Sequence, residues 1–371
     1  MAESIKKQKA PESASKGRAN QASINQESIN KKFALQPAPP HLIAIVAPTA
    51  SGKSALALRL ARALDAEIFS IDSLSIYKHI DIASAKPTKA ELASAHHYGI
   101  DVLLPDEHCS AGVFCALFEE AMKQCQKPFL LVVGGSGFYL DCLINGLSPM
   151  PNIAQDALGA INARIDSMPD AYAFLESIDA DSARAIKPSD TYRIRKLLEI
   201  FFATQMPPSA YFRQNPTAPI IQKIDIYSII TPREELIERI NARSREMVDS
   251  GLIDEARFLL EKYGRDIQPF KAIGLKEALA YIDMEHETSG EKGREKSPKN
   301  SGEMSGEKNR EMDREKSDKM SREELATLIS IHTRQLAKRQ ATFIRAKFAS
   351  AQNLALDKIE EKILQDMEKY R

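Results

Sequence analysis

Eight consecutive residues, Ala47-Pro48-Thr49-Ala50-Ser51-Gly52-Lys53-Ser54, have the types and order that hold a chain of phosphates. They follow the pattern G-x-x-x-x-G-K-[ST], with Ala47 where the first Gly belongs. In such a loop, backbone N–H groups point inward at phosphate oxygens, and the following helix adds the positive end of its dipole. Lys53 supplies a full charge, and the Ser54 hydroxyl is placed to meet Mg²⁺. Ala47 is compatible with this geometry if its φ is negative, where a Cβ is tolerated.

The chemistry requires a strand before the loop and a helix after it. The apolar run 42–46 and the helical pattern 54–64 meet that requirement. A second buried strand, 67–71, ends at Asp72, and a third, 129–133, ends at Gly134-Gly135-Ser136-Gly137. Ligands of parallel sheets sit at the carboxyl ends of the strands, so Asp72 is expected in the same crevice as the loop. Residues 76–89 read as loop, 98–103 as a short strand, and 111–127 and 138–144 as helices. Strands alternating with helices predict an α/β, P-loop NTPase-like, doubly wound parallel sheet.

From Pro149 the pattern turns helical, with short segments at 157–165, 171–175, 182–186 and 191–204 broken by Pro169, Pro188 and Pro207-Pro208. The β-branched run in 223–230 predicts a return strand. Thr231 and Pro232 then read as cap and first residue of a helix reaching about 250, followed by another at 252–263. We therefore expect a disordered extension over 1–40, a first core part over 41–150 and a helical insert over 151–222. Core completion follows over 223–284, a disordered charged insertion over 285–321, and a basic helix with a tail over 322–371. Segments 1–40 and 285–321 hold too little apolar surface to pack. Lys6, Lys7 and Lys9 read as a solvated tail or an RNA contact. Arg334, Lys338 and Arg345 recur at helical spacing, as a basic stripe or as an ordinary solvated face.

Composition narrows the classes. The chain has 371 residues, 43% of them hydrophobic, and a formal net charge of zero, so overall charge does not point to nucleic acid. Cys109, Cys115, Cys125 and Cys142 form no C-x-x-C pair and read as reduced thiols. No stretch has the length and apolarity of a membrane span, and no apolar signal core opens the chain, so a cytoplasmic, monomeric protein is expected.

A P-loop ordinarily means ATP or GTP, with an acidic residue ending a later strand to hold Mg²⁺. The strand at 129–133 ends instead in Gly134-Gly135, which leaves the NTP machinery incomplete and a diphosphate as the alternative occupant. The series APTASGKS, IDSLSIYKHIDIASAKPT, VVGGSGFYL and LSPMP closely resembles bacterial tRNA dimethylallyltransferases. So do Pro188-Ser189-Asp190 with Arg193, and Thr333-Arg334-Gln335-Leu336-Ala337-Lys338-Arg339-Gln340. The resemblance runs over 42–348 apart from the charged insertion.

That resemblance implies transfer of a dimethylallyl group from dimethylallyl diphosphate to the exocyclic amine of the adenosine 3′ of the anticodon, with Mg²⁺ as cofactor and the tRNA anticodon stem-loop as partner. It implies a helical tRNA-binding insert, a diphosphate cradle at 49–54, and Asp72 as general base or acceptor for the amine. Ser136 stands where the family usually has Thr. Asp72, Ser73, Leu74 and Ser75 match an RNA-contacting run, as do Tyr192, Arg193, Ile194, Arg195 and Lys196. Lys271, Gly274 and Lys276 match a third run, with Leu275 where the family has an aromatic. Leu158 stands where a tRNA-touching Arg is usual. Arg239 and Arg243, one helical turn apart, are expected to reach the diphosphate from opposite the loop. The rival readings are a small-molecule P-loop kinase, which would turn over ATP through an Arg-bearing lid, and a non-catalytic RNA-binding protein, which would not need Lys53, Ser54 and Asp72 intact.

Overall fold

The computed structural model describes residues 39–290 and 320–370. The expected extension before residue 39 and most of the charged insertion lie outside them. Six parallel strands form one sheet in the order β3-β2-β4-β1-β5-β6. The strands are β1 (His41–Val46), β2 (Ala66–Ser70), β3 (His97–Tyr98), β4 (Phe129–Gly134), β5 (Asp225–Ile230) and β6 (Gln352–Ala355). Period-two side-chain alternation explains why the central strands are apolar throughout. Leu42, Ala44 and Val46 enter one core, and Ile43, Ile45 and Ala47 enter the other. The second core is closed by α1 (Lys53–Leu64) and, from the end of the chain, by the helix Leu356–Met367.

The short α2 (Lys89–Ser94) packs beside α1, and the opposite face is covered by α3 (Ala111–Gln124) and α4 (Gly137–Asn145). A helical insert follows: α5 (Gln155–Asp166), α6 (Ala171–Ile178), α7 (Ala180–Arg184), α8 (Thr191–Thr204) and α9 (Pro208–Gln214). The insert has its own small core around Ile165, Leu175, Ile194 and Leu198. After β5 come α10 (Arg233–Asp249), α11 (Leu252–Tyr263), α12 (Leu275–Gly290) and the long α13 (Arg322–Lys347), then β6 and α14 (Leu356–Met367).

Three details differ from the sequence expectation. The strand read at 98–103 is confined to His97–Tyr98, because Gly99 (φ 75°) and Asp101 (φ 55°) turn left-handed. A Cβ on Gly99 would lie 2.7 Å from the Ser70 carbonyl oxygen, so glycine is needed there. Helix α10 starts at Arg233 with Pro232 as its cap, one residue later than Thr231 would place it, and the Thr231 hydroxyl has no partner among the described residues. The stretch read as basic helix and tail adds β6 to the sheet edge and α14 to its face. There Tyr227 donates a hydrogen bond to Asp366 (2.8 Å), and Arg59 pairs with Glu360.

Candidate active site

The loop expected to bind phosphate connects β1 to α1. Gly52 caps α1 with φ 85° and contributes no side-chain acceptor, so the first N–H groups of the helix remain for a ligand. Ala50 is also left-handed (φ 63°), whereas Ala47 is not and is fully buried, which is how an alanine is accommodated at that position. The Pro48 side of the loop is buried, and Thr49, Gly52 and Lys53 are partly exposed, with Ser54 open. The Ser51 hydroxyl is buried without a protein partner.

Two cavities flank the loop. One, of about 90 Å³, is lined by Thr49, Lys53, Ser54, Ser75, Lys86 and Gly134. The other, of about 150 Å³, is lined by Ser73, Leu74, Ser136, Ala272, Ile273 and Gln340. Asp72, Thr49, Ser84 and Arg243 line both. Asp72 thus stands where a phosphate cradle meets a more apolar chamber. Its Oδ1 accepts the N–H groups of Leu74 (2.9 Å) and Ser75 (3.2 Å), an Asx turn that fixes the side chain and leaves Oδ2 for a ligand.

Electrostatics separate the two ends of the site. Burial lowers the Lys53 ammonium to about 8, against the attraction of Asp72 and with a smaller push from Arg243. The surface of Lys53 is only partly covered, but the enclosing cleft walls strip its water. Arg243 is likewise lowered, chiefly by desolvation, and its Nη1 donates to Thr49 Oγ1 (3.3 Å). Arg239, one turn earlier on α10, pairs with Glu235, and its Nη1 lies beside Gly52. Two cations from α10 therefore oppose the loop, as their spacing suggested.

Ser136 caps α4 without spending its hydroxyl on the helix, so that oxygen is available to the second cavity. The glycines around it are closely approached, Gly134 by Ile71 including its backbone and Gly135 by the movable Gln340 side chain. A Cβ on Gly134 would lie 2.6 Å from Ile71, and one on Gly135 would lie 2.5 Å from Gln340 Nε2. Gln340 is the functional residue that the sequence motif contained but did not single out. Its Oε1 accepts the Thr49 N–H (3.0 Å) and ties α13 to the phosphate loop. Lys86 is another: almost fully buried, it donates to the Tyr77 carbonyl (2.7 Å) and pairs with Asp81 and Asp101 at the cavity margin.

The remaining expected RNA contacts separate into surface and interior. Tyr192 is 70% exposed, and Arg193 is exposed with an i,i+3 pair to Asp190. Ile194 is buried in the core of the insert and does not face solvent, which corrects its assignment. Arg195 is committed to Asp166 and Asn162, and Lys196 to the buried Glu199. Leu158 is partly covered on α5, and neither cavity reaches it or the 192–196 run. Lys271 and Lys276 are exposed beside the second cavity, whereas Gly274 and Leu275 are buried. Gly274 has φ 96°, so its part is conformational, and Leu275 belongs to the core rather than to a stacking surface.

No three His, Cys, Asp or Glu side chains converge as a metal cage among the described residues. A hydroxyl at the mouth of a phosphate cradle fits a divalent ion that takes most of its oxygen ligands from a substrate and water. The four cysteines are free thiols, and no described helix is long and apolar enough to cross a membrane.

Comparisons with known proteins agree with one another. Residues 75–347 match the family model described as IPP transferase. A tRNA dimethylallyltransferase of Helicobacter pylori strain J99 is 41% identical over 310 residues, covering 84% of this chain and 88% of the relative. That of Wolinella succinogenes is 41% identical over 325 residues, 87% of this chain and 97% of the relative. Among solved structures, a tRNA delta(2)-isopentenylpyrophosphate transferase from Staphylococcus epidermidis superposes with a TM-score of 0.56 at 26% identity over 90% of this chain and all of its own. A eukaryotic dimethylallyltransferase acting on tRNA shares the fold at 22% identity (TM-score 0.66, 85% of this chain and 73% of the other).

Proposed function

Because the chain belongs to the IPP transferase family, whose curated relatives are tRNA dimethylallyltransferases, we propose that it moves a dimethylallyl group from dimethylallyl diphosphate to the exocyclic amine of the adenosine 3′ of a tRNA anticodon. The observation that carries this reading is the position of Asp72 at the junction of the two cavities. One side offers cations and helix N–H groups, suited to a diphosphate. The other offers Leu74, Ile273 and Leu336 with the Ser136 hydroxyl, suited to a flat, edge-polar base drawn out of its stack.

The adenine amine is a poor nucleophile because its lone pair is conjugated with the ring. Asp72 Oδ2 accepts an N–H of that amine and restores density to the nitrogen. A C–N bond forms to the allylic C1 as its C–O bond to the diphosphate breaks. The electron pair of the broken bond leaves with the diphosphate, and the amine proton passes to Asp72. Lys53, Arg243 and the first N–H groups of α1 face the growing negative charge, where a desolvated cation acts more strongly than it would in water. Ser54 and the diphosphate oxygens would hold Mg²⁺, which supplies further neutralisation of the leaving group when bound.

Purified protein incubated with unmodified tRNA, labelled dimethylallyl diphosphate and Mg²⁺ should incorporate label at one adenosine, and Asp72→Ala should not. Consumption of ATP with no label in tRNA would overturn the reading.

A further inference from the structure

Two carboxylates that touch neither cavity hold the backbone of its walls. Glu277, in the first turn of α12, is 3% exposed. Its Oε2 accepts the Gly274 N–H (2.7 Å), and its Oε1 meets His332 Nδ1 of α13 (2.6 Å). The loop it grips supplies Ala272 and Ile273 to the second cavity, and the residue after His332, Thr333, lines the same cavity. Glu255 of α11 does the corresponding work for the neighbouring segment. Its Oε2 accepts the N–H groups of Asp81 (2.7 Å) and Ile82 (2.8 Å), and its Oε1 that of Ala83 (2.9 Å). Ala83 and Ser84 line the cavity too. The two held segments meet each other, since a Cβ on Gly274 would lie 3.9 Å from that of Ala83 and 3.4 Å from Met247 Cε.

We propose that Glu277 and Glu255 are positioning residues that set the shape of the acceptor chamber by fixing two adjoining backbone segments of its wall. This rests on the reading of that chamber as the tRNA-base site. A simple helix cap would use Glu277 Oε2 alone. The bridge to His332 ties the cap to a different helix, and with it the segment from Lys271 to the first turn of α12, which carries Lys276. A carboxylate gripping three consecutive N–H groups fixes that turn far more tightly than water would, because charge-assisted bonds are the stronger kind. The segment held by Glu277 lines the acceptor chamber alone, whereas that held by Glu255 leads into Ser84 and Lys86 of the phosphate-side cavity, so it is at Glu277 that the two substrates should respond differently.

Steady-state kinetics of the full chain with tRNA and dimethylallyl diphosphate test this. Glu277→Ala should raise KM for tRNA by about tenfold and leave KM for dimethylallyl diphosphate within about twofold. His332→Ala, which keeps the cap but cuts the bridge, should raise KM for tRNA about threefold. Glu277→Gln should restore most of the loss, because its oxygen accepts from Gly274 while its amide donates to His332. Glu255→Gln should not restore the loss of Glu255→Ala, because its amide nitrogen would face an N–H donor. Equal rises in both KM values, or a lowered Tm with both KM values unchanged, would overturn the proposal. Failure of the unaltered protein to label tRNA would instead overturn the functional reading beneath it.

Discussion

The phosphate cradle and the helical insert both present cations, but under opposite physical conditions. In the cradle, burial lowers the pKa of both Lys53 and Arg243, and Asp72 only partly offsets the cost for each. In the insert, Arg193, Arg195 and Lys196 each pair with a carboxylate nearby. The first arrangement disfavours the charged forms, a cost that the diphosphate of the proposed reaction would offset. The second is already satisfied: the exposed Arg193 pair contributes little to stability, Lys196 is held by the buried Glu199, and Arg195 joins two helices. In the function proposed above, this difference would separate the site of transfer from a surface that orients the tRNA.

The sharpest way to break this comparison is at Asp72. Asp72→Asn keeps the Oδ1 acceptor for Leu74 and Ser75, so the turn and the melting temperature should survive. Single-turnover transfer should fall by roughly 10³, within the range expected for loss of a positioned base. Retention of more than a tenth of the rate would show that the amine needs no carboxylate.

Lys53→Met tests the stored penalty. Burial lowers the Lys53 ammonium from its ordinary 10.5 to about 8, so the unfolded chain binds more protons between these values. Stability therefore rises with pH through that window, and the full penalty is present below it. Because water reaches part of the cleft, we put the cost at about 2 kcal/mol. Lys53→Met should raise Tm at pH 7, abolish the rise in stability between pH 8 and 10.5, and slow transfer at least 100-fold, as expected when a charge facing the leaving group is lost. Diphosphate binding to the native protein at pH 8.5 should take up protons, read as a buffer-dependent calorimetric heat, and the variant should show none.

Much of this site was legible in the sequence because its pieces are contiguous. The loop at 47–54, Asp72 at a strand end and the glycines after β4 each announce themselves within a few residues. The paired spacing of Arg239 and Arg243 also indicated the face they share, though not that Arg243 reaches Thr49. What was hidden depends on contacts far apart in the chain. Gln340 meets Thr49 across 291 positions. The four residues of β6 are too few and too polar to read as a strand, and they become one only because β5 offers an edge. Burial was equally hidden: Ile194 and Gly274 stand in runs expected to contact RNA, yet the Ile194 side chain packs in the insert core and Gly274 is buried backbone.

Gly135→Ala probes how tightly the cradle is held from α13. The new Cβ would lie 2.5 Å from Gln340 Nε2 and 3.3 Å from the Ala47 carbonyl oxygen. The side chain of Gln340 must swing away and release the Thr49 N–H. Overpacking of this kind costs about 1–3 kcal/mol, and chemical denaturation should show it. The double variant Gly135→Ala with Gln340→Ala should recover part of that loss, because the clash is with a side chain. If it recovers nothing, the Ala47 carbonyl is the true obstacle.

The smallest effects belong to the insert, and there the prediction is a contrast between neighbours. Arg193 pairs with Asp190, whose carboxylate already caps α8 through the Arg193 N–H (3.1 Å). Its side chain can leave for an RNA phosphate while the cap stays in place. Arg195 instead joins α5 to α8 through Asn162 and Asp166, and hydrogen bonding to Asp166 raises its pKa. Arg193→Ala should therefore weaken tRNA binding a few-fold and reduce the slope of log affinity against log salt by about 1, with Tm unchanged. Arg195→Ala should leave the salt slope intact and loosen the insert, seen as faster amide exchange in α5 and α8. If the two variants exchange these signatures, the surface that meets RNA is on the opposite side of α8, and the ion pairs of the insert are its binding groups rather than its braces.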